Sequence, residues 1–183
     1  MFKFNLLIIA ISCCVCNVFG KKQECPGADA QFEGTCYKVL PDQYDWMGGV
    51  AACANTTPGS TMLAIETEEE NEFLKTWLAG AIAAISNGDY KYAWLYGSDL
   101  GENKNFLWHN SNGTGSHPFG FDAWGIDQPS SKPHYHCMDL NLEDNLFTWD
   151  SYPCTGFLNN SNGEPVAVED FVVCEYPMPS LWE

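Results

Sequence analysis

The chain has 183 residues, with 24 Asp plus Glu against 8 Lys and no Arg, a formal charge of −16, 9 Cys, and 7 Trp, 8 Tyr and 11 Phe. A hydrophobic fraction of 45% is that of a globular chain and excludes wholesale disorder, and the length suits one domain plus a targeting segment rather than two full domains. The charge excludes nucleic acid as a partner, because neutralising phosphates needs clustered Lys and Arg, and it excludes electrostatic docking on anionic membranes.

Residues 1–20 open with Lys3 and run through Leu6, Leu7, Ile8, Ile9, Ala10 and Ile11. Val18 and Gly20 are small enough to precede a cleavage point, so this segment reads as a secretory signal peptide. The apolar run is too short for a membrane anchor and is followed by Lys21 and Lys22, and no second hydrophobic span occurs. The expectation is a secreted, extracellular protein without a membrane span, made of a single domain over 21–183 with its core at 25–176. Losing Lys3 leaves 24 acids, 7 Lys and a charge of −17.

Residues 25–40 place Phe32, Cys36, Tyr37 and Val39 between turn residues and predict a short hairpin. A helical pattern starts at Asp42, with Trp46, Val50 and Cys53 on one face, and stops in the breaker Asn55-Thr56-Thr57-Pro58-Gly59. Thr67 and Glu70 form a capping-box pattern. Phe73, Leu74, Trp77, Leu78, Ala81, Ile82 and Ile85 then repeat at helical spacing, and Asn87-Gly88 ends the helix. Glu68, Glu69 and Glu70 read as a capped, solvated helix start favoured by the helix dipole rather than as a cation site.

Beyond residue 90 the texture changes to short strands at 92–97, 106–109, 136–141, 146–149 and 170–175, with a long Gly/Pro/Asn/Ser-rich stretch over 110–135. Helices first and strands later predict an α+β fold with an antiparallel sheet. A loop of this length is either functional or stapled. Trp46, Trp77, Trp94, Trp108 and Trp149 read as core, whereas Trp124 in the loop is open to a ligand.

Cys13, Cys14 and Cys16 leave with the signal. Cys25, Cys36, Cys53, Cys137, Cys154 and Cys174 remain, an even number that predicts three disulfides among 15 possible connectivities. Sequons at Asn55, Asn112 and Asn159 lie in polar, turn-rich stretches, where a glycan would sit. His134-Tyr135-His136 would put two imidazoles on one face of a strand, but reads as surface or hydrogen-bonded histidines, and His109 and His117 could add metal ligands only if folding brought them close. No G-x-S-x-G, H-E-x-x-H or P-loop occurs, and six paired cysteines leave no thiol nucleophile, so the chain does not read as an enzyme.

Taken in order, Cys25-Pro26, Cys36-Tyr37, Trp46 through Cys53, Leu63-Ala64-Ile65 with Glu68, Ala93-Trp94-Leu95-Tyr96-Gly97, Trp124-x-x-x-Gln128-Pro129, Trp149-Asp150-Ser151-Tyr152-Pro153-Cys154 and Phe171-Val172-Val173-Cys174-Glu175 resemble the C-type lectin-like domain in its long form, over about 150 residues. The resemblance implies two helices, small antiparallel sheets, a long irregular loop, and the pairs Cys25–Cys36, Cys53–Cys174 and Cys137–Cys154. It also implies a calcium ion in the long loop whose shell a sugar completes. The matching positions here are Gln128, Ser130, Tyr135, Asp150 and Ser151, and Gln128-Pro129 is closer to the galactose-type triplet than to the mannose-type one. Calcium needs six to eight oxygens and negative charge, whereas Ser130 and Ser151 are neutral and Tyr135 is a bulky phenol. Of the nearby acids Asp122, Asp127, Asp139, Glu143 and Asp144, Asp127 is the best shifted ligand. This leaves a degenerate calcium site of Gln128, Asp150 and Asp127 that binds weakly or not at all. The expected ligand surface is Trp124, Gln128, Ser130, Asp150 and Ser151, contacting a glycan or, with sugar binding lost, an extracellular protein or other surface.

Overall fold

Tyr92–Ser98 (β4) is apolar almost throughout and is buried from its second residue to its last, as a strand covered on both faces must be. It lies parallel to Asp170–Pro177 (β11), with Phe171 opposite Ala93 and Val172 opposite Trp94. The sheet around them is therefore mixed rather than purely antiparallel. The computed structural model describes residues 24–86, 90–99, 104–110, 115–160 and 162–179. The signal-peptide segment, Asn87-Gly88 and the Asn112 sequon lie outside them, as does Ser161 of the third sequon.

The hairpin near the start joins Ala30–Phe32 (β1) to Thr35–Tyr44 (β2). β2 runs further than its sequence predicts because it pairs with β11 along most of its length. The first helix (α1, Trp46–Ala54) consequently starts later than expected: Asp42 is still in β2, and Asp45 is the N-cap, its Oδ1 accepting the Gly48 N–H at 2.7 Å. Gly49 is required where α1 crosses the sheet, because a Cβ there would stand 2.7 Å from Val172 and 2.8 Å from the Met62 sulfur. Thr61–Met62 (β3) then pairs with β11.

The second helix (α2, Glu68–Ser86) buries Leu74, Leu78 and Ile82 at successive turns. Phe73 and Trp77 pack outside them against Phe32 and Tyr37. Thr67 Oγ1 accepts the Glu70 N–H at 3.1 Å, as a capping box requires, but Glu70 reaches back to the Glu66 N–H at 2.9 Å and accepts the Tyr37 hydroxyl at 2.7 Å. Glu70 is thus buried, unlike the solvated residue expected of it, and burial raises its pKa.

Leu107–His109 (β5), Ser116–His117 (β6), Tyr135–Asn141 (β7) and Thr148–Pro153 (β8) complete the sheet, which β7 joins by pairing with both β4 and β8. Phe157–Asn159 (β9) and Pro165–Ala167 (β10) form a separate two-stranded hairpin. Disulfides link Cys25 to Cys36, Cys53 to Cys174 and Cys137 to Cys154. The second spans 121 residues and ties α1 to β11, a closure worth about 5 kcal/mol in the chain-entropy account. The third ties the start of β7 to the residue after β8 and so frames the long loop. Among the described residues, no helix is long and apolar enough to cross a membrane.

Candidate functional site

Over 115–135, the described part of the long loop, the backbone has little ladder of its own, so side chains hold it. Trp108 and Trp149 are fully buried and meet edge to face with centroids 5.1 Å apart. Phe119 packs against both at 4.9 and 5.4 Å. Trp124 is half-buried, with its ring against Phe106 at 5.3 Å and Trp149 at 5.9 Å. Its backbone bridges Trp149, with the Trp149 N–H donating to the Ala123 carbonyl at 2.8 Å and the Gly125 N–H to the Trp149 carbonyl at 2.9 Å. Trp124 therefore anchors the loop to β8.

That anchor brings Gln128, Ser130, Asp150 and Ser151 together. The peptide bond between Gln128 and Pro129 is cis. Gln128 Oε1 accepts three hydrogen bonds: from the Ser130 N–H at 2.9 Å, the Ser151 N–H at 3.0 Å and the Ser151 hydroxyl at 3.1 Å. Ser151, only 1% exposed, also accepts the Ser130 N–H at its Oγ, at 2.7 Å. Asp150 Oδ2 accepts the Asn141 side-chain amide at 3.1 Å, and its Oδ1 lies against Gly125, where a Cβ would approach within 2.6 Å. Asp127 is exposed at a positive φ of 61° and joins none of these bonds.

Alternation along β7 and β8 puts Asp139 beside Asp150 on the same face of the sheet, directly opposite it in the register. Asp139 is 1% exposed, and its Oδ1 has no hydrogen-bond partner. Burial, with Asp170 and Asp150 nearby, pushes its pKa well above the usual carboxylate range. Burial raises Asp150 as well, against the opposing Asn141 bond, and raises Asp170 to about 7. Repulsion among these acids disfavours having all three ionised together.

At the loop's far side Tyr135 meets Tyr152 edge-on at 5.7 Å, with Lys132 Nζ 5.0 Å from the Tyr135 ring centre. Lys104 Nζ donates to the carbonyls of Lys132 and Tyr135 at 2.9 and 2.8 Å. Asp99, 2% exposed, receives the Lys104 N–H and pairs with His136 Nδ1, both at 2.6 Å. His134 lies before β7 at a positive φ of 71°, so the two histidines do not share a strand face. His109 bonds Ser98, and His117 bonds Glu66 and Asn110.

Lys104, Asp99 and Tyr152 were not singled out by sequence. The alternation of Tyr152 with Asp150 was a readable signal for the third, but the first two act across a fold that pattern does not reveal.

The residues present do not fit a calcium ion. A carbonyl oxygen has two lone pairs, and Gln128 Oε1 already takes three donors. Ser151 is committed in both directions, Asp150 has one oxygen on Asn141, and Tyr135 supplies an aromatic face beside a cation. Among the described residues, no group of three or more His, Cys, Asp or Glu side chains is placed to hold a metal ion. A cleft of about 300 Å³ opens elsewhere, where α2 begins, lined by Tyr37, Glu66, Glu70 and Glu175.

Comparison with known proteins bears on the family and the fold. The model of the lectin C-type domain matches residues 42–159. A lectin of Pleurodeles waltl is 28% identical over 118 residues, 64% of this chain; the match spans 62% of that relative's length. The crystal structure of human lithostathine aligns over 84% of this chain and 91% of its own, with a TM-score of 0.65 and 21% identity. A calcium-independent type II antifreeze protein aligns over 85% of this chain and 96% of its own, with a TM-score of 0.61 and 18% identity. These structural likenesses establish the fold.

Proposed function

Because this chain belongs to the C-type lectin domain family, we propose that it is an extracellular recognition protein that binds a glycan, without covalent chemistry, across its long-loop surface. The observation that carries the reading is the assembly of the partly exposed Gln128, Ser130 and Asp150 around the buried Ser151. Gln128 and Ser130 lie partly exposed there, and Tyr135 and Tyr152 add partly exposed rings at the loop's far side. Hydroxyls, an amide and aromatic edges form the donor, acceptor and apolar mixture that a sugar requires. Residues 1–20 are the signal peptide and 21–183 the secreted domain, with glycans on Asn55, Asn112 and Asn159. Asn55 and Asn159 are exposed, as attachment demands.

Retention on galactose- and mannose-agarose, each with calcium and with EDTA, tests the reading. Elution by free sugar is expected, and no retention on any glycan matrix would sink it. N-terminal sequencing of the secreted product should begin at Lys21.

A second reading is favoured by one observation: two of the side chains implied for the sugar's metal, Gln128 and Ser151, are bonded to each other and to the Ser130 N–H. The same surface would then meet a protein or another extended surface, on a secreted chain with a formal charge of −17 (24 acids, 7 Lys). Such binding to a basic partner weakens steeply with salt, whereas glycan binding competed by free sugar is nearly indifferent to it.

A further inference from the structure

We infer that a hydrogen-bond hub centred on Ser151 does the structural work of a metal ion in this loop, so that the ligand surface holds its shape without calcium and Ser151 is its positioning residue. Four bonds between 2.7 and 3.1 Å link just three residues. They join β8, through Ser151, to two separate points of the loop, Gln128 and Ser130. Bridging segments that share no backbone ladder is what a coordinated ion does, and here every connector is a donor–acceptor pair within the chain.

The chemistry is internally complete. Gln128 contributes a single carbonyl oxygen as the common acceptor. Ser151 contributes two donors and one acceptor, and the Ser130 amide is shared between Gln128 and Ser151. Ser130 Oγ extends the hub by accepting the Lys132 N–H at 3.2 Å, and so reaches the segment that Lys104 holds from the other side. Replacing Ser151 by a longer acid would remove the hydroxyl donor and bury a carboxylate in the chain position next to Asp150. A neutral side chain that both donates and accepts satisfies the buried main-chain donors without adding charge.

The hub is a property of the unliganded loop; only its consequence for recognition rests on the proposed glycan reading. Its test therefore reads the loop and not the ligand. Amide hydrogen exchange at Ser130 and Ser151 should be the same in EDTA and in about 5 mM Ca²⁺, a concentration above the range of most extracellular calcium modules, and calorimetric titration with Ca²⁺ alone should give no saturable heat. Saturable calcium binding, or calcium-dependent protection of either amide, overturns the inference.

In Ser151→Ala, exchange at Ser130 should rise about tenfold or more while the buried Leu95 amide of β4 keeps its rate. Gln128→Ala should give the same local rise, and the double variant should be no faster than the faster single variant, since both remove one unit. Unchanged Ser130 exchange in Ser151→Ala, or additive effects in the double variant, would reject Ser151 as the positioning residue. Should either variant lose Leu95 protection as well, the wild-type comparison between EDTA and calcium still decides the metal question.

Discussion

The sheet around β4 and β11 and the long loop above it solve the same problem with different means. In the sheet, contiguous apolar residues bury themselves, backbone groups pair along strands, and one long-range disulfide limits the unfolded chain. In the loop, few backbone groups pair regularly, so edge-to-face aromatics and side-chain bonds from Gln128, Ser151, Asp99 and Lys104 carry the order. Periodic burial is robust because many contacts share it. A hub of polar bonds depends on each member, and one lost partner leaves a buried group unsatisfied. The loop can therefore change its side-chain bonds while the sheet below it stays intact.

Removing the Cys53–Cys174 bond with paired alanines should have the largest effect on this contrast, about 4–5 kcal/mol of stability, read by denaturant unfolding. Loop and sheet probes should fall together, and a loss confined to the loop would break the comparison. Gly97→Ala comes next. A Cβ there would strike the Met138 sulfur and stand 3.0 Å from the Trp108 ring, so the cost should be about 3 kcal/mol.

The acids beneath the loop predict a pH slope. The folded Asp170 pKa of about 7 exceeds its ordinary 3.8 because of burial, and Asp139 moves in the same direction. The folded state therefore holds protons that the unfolded chain releases. Their contribution is fully present below about pH 4 and is lost as pH rises towards about 7. Melting temperature should fall across that window, and Asp170→Asn should flatten the fall. A rise across the same window would refute this account of the cluster.

Lys104→Met should have the smallest effect, about 1 kcal/mol, through the lost bonds to the Lys132 and Tyr135 carbonyls. Exchange should quicken at loop amides near Lys132 and not in β4. An equal change in β4 would mean that loop and sheet open as one unit.

Much of the fold was legible in residue order. The α2 periodicity, Thr67 as its cap, the apolar β4 and the β11 closing strand all rest on local patterns that burial then uses. The start of α1 was misplaced because residues 42–44 look polar and turn-like in isolation, yet pairing with β11 holds that stretch extended. The β9–β10 hairpin and the two-residue strands were missed because strands so short have no periodicity to read. The parallel contact between β4 and β11 was invisible for a different reason: alternation reports which face is buried, not which neighbour lies alongside.

For the candidate site, sequence marked Gln128, Ser130, Asp150 and Ser151 through a resemblance, and could say that their charge was low for calcium. It could not say what the neutral substitutes do instead. Glu70 shows the same gap, since a Glu at the third position of a helix looks solvated until Tyr37 arrives from another strand.

The sequence by itself determined composition, charge, helix periodicity and the identity of the groups available for bonding, because these are local or additive properties of the chain. Only tertiary structure decided that Ser151 points its hydroxyl at Gln128, that Asp139 is buried opposite Asp150, and that Lys104 closes on Tyr135. Each of these depends on distances between residues far apart in the chain, and those distances are set by how the whole sheet and its disulfides bring the segments together.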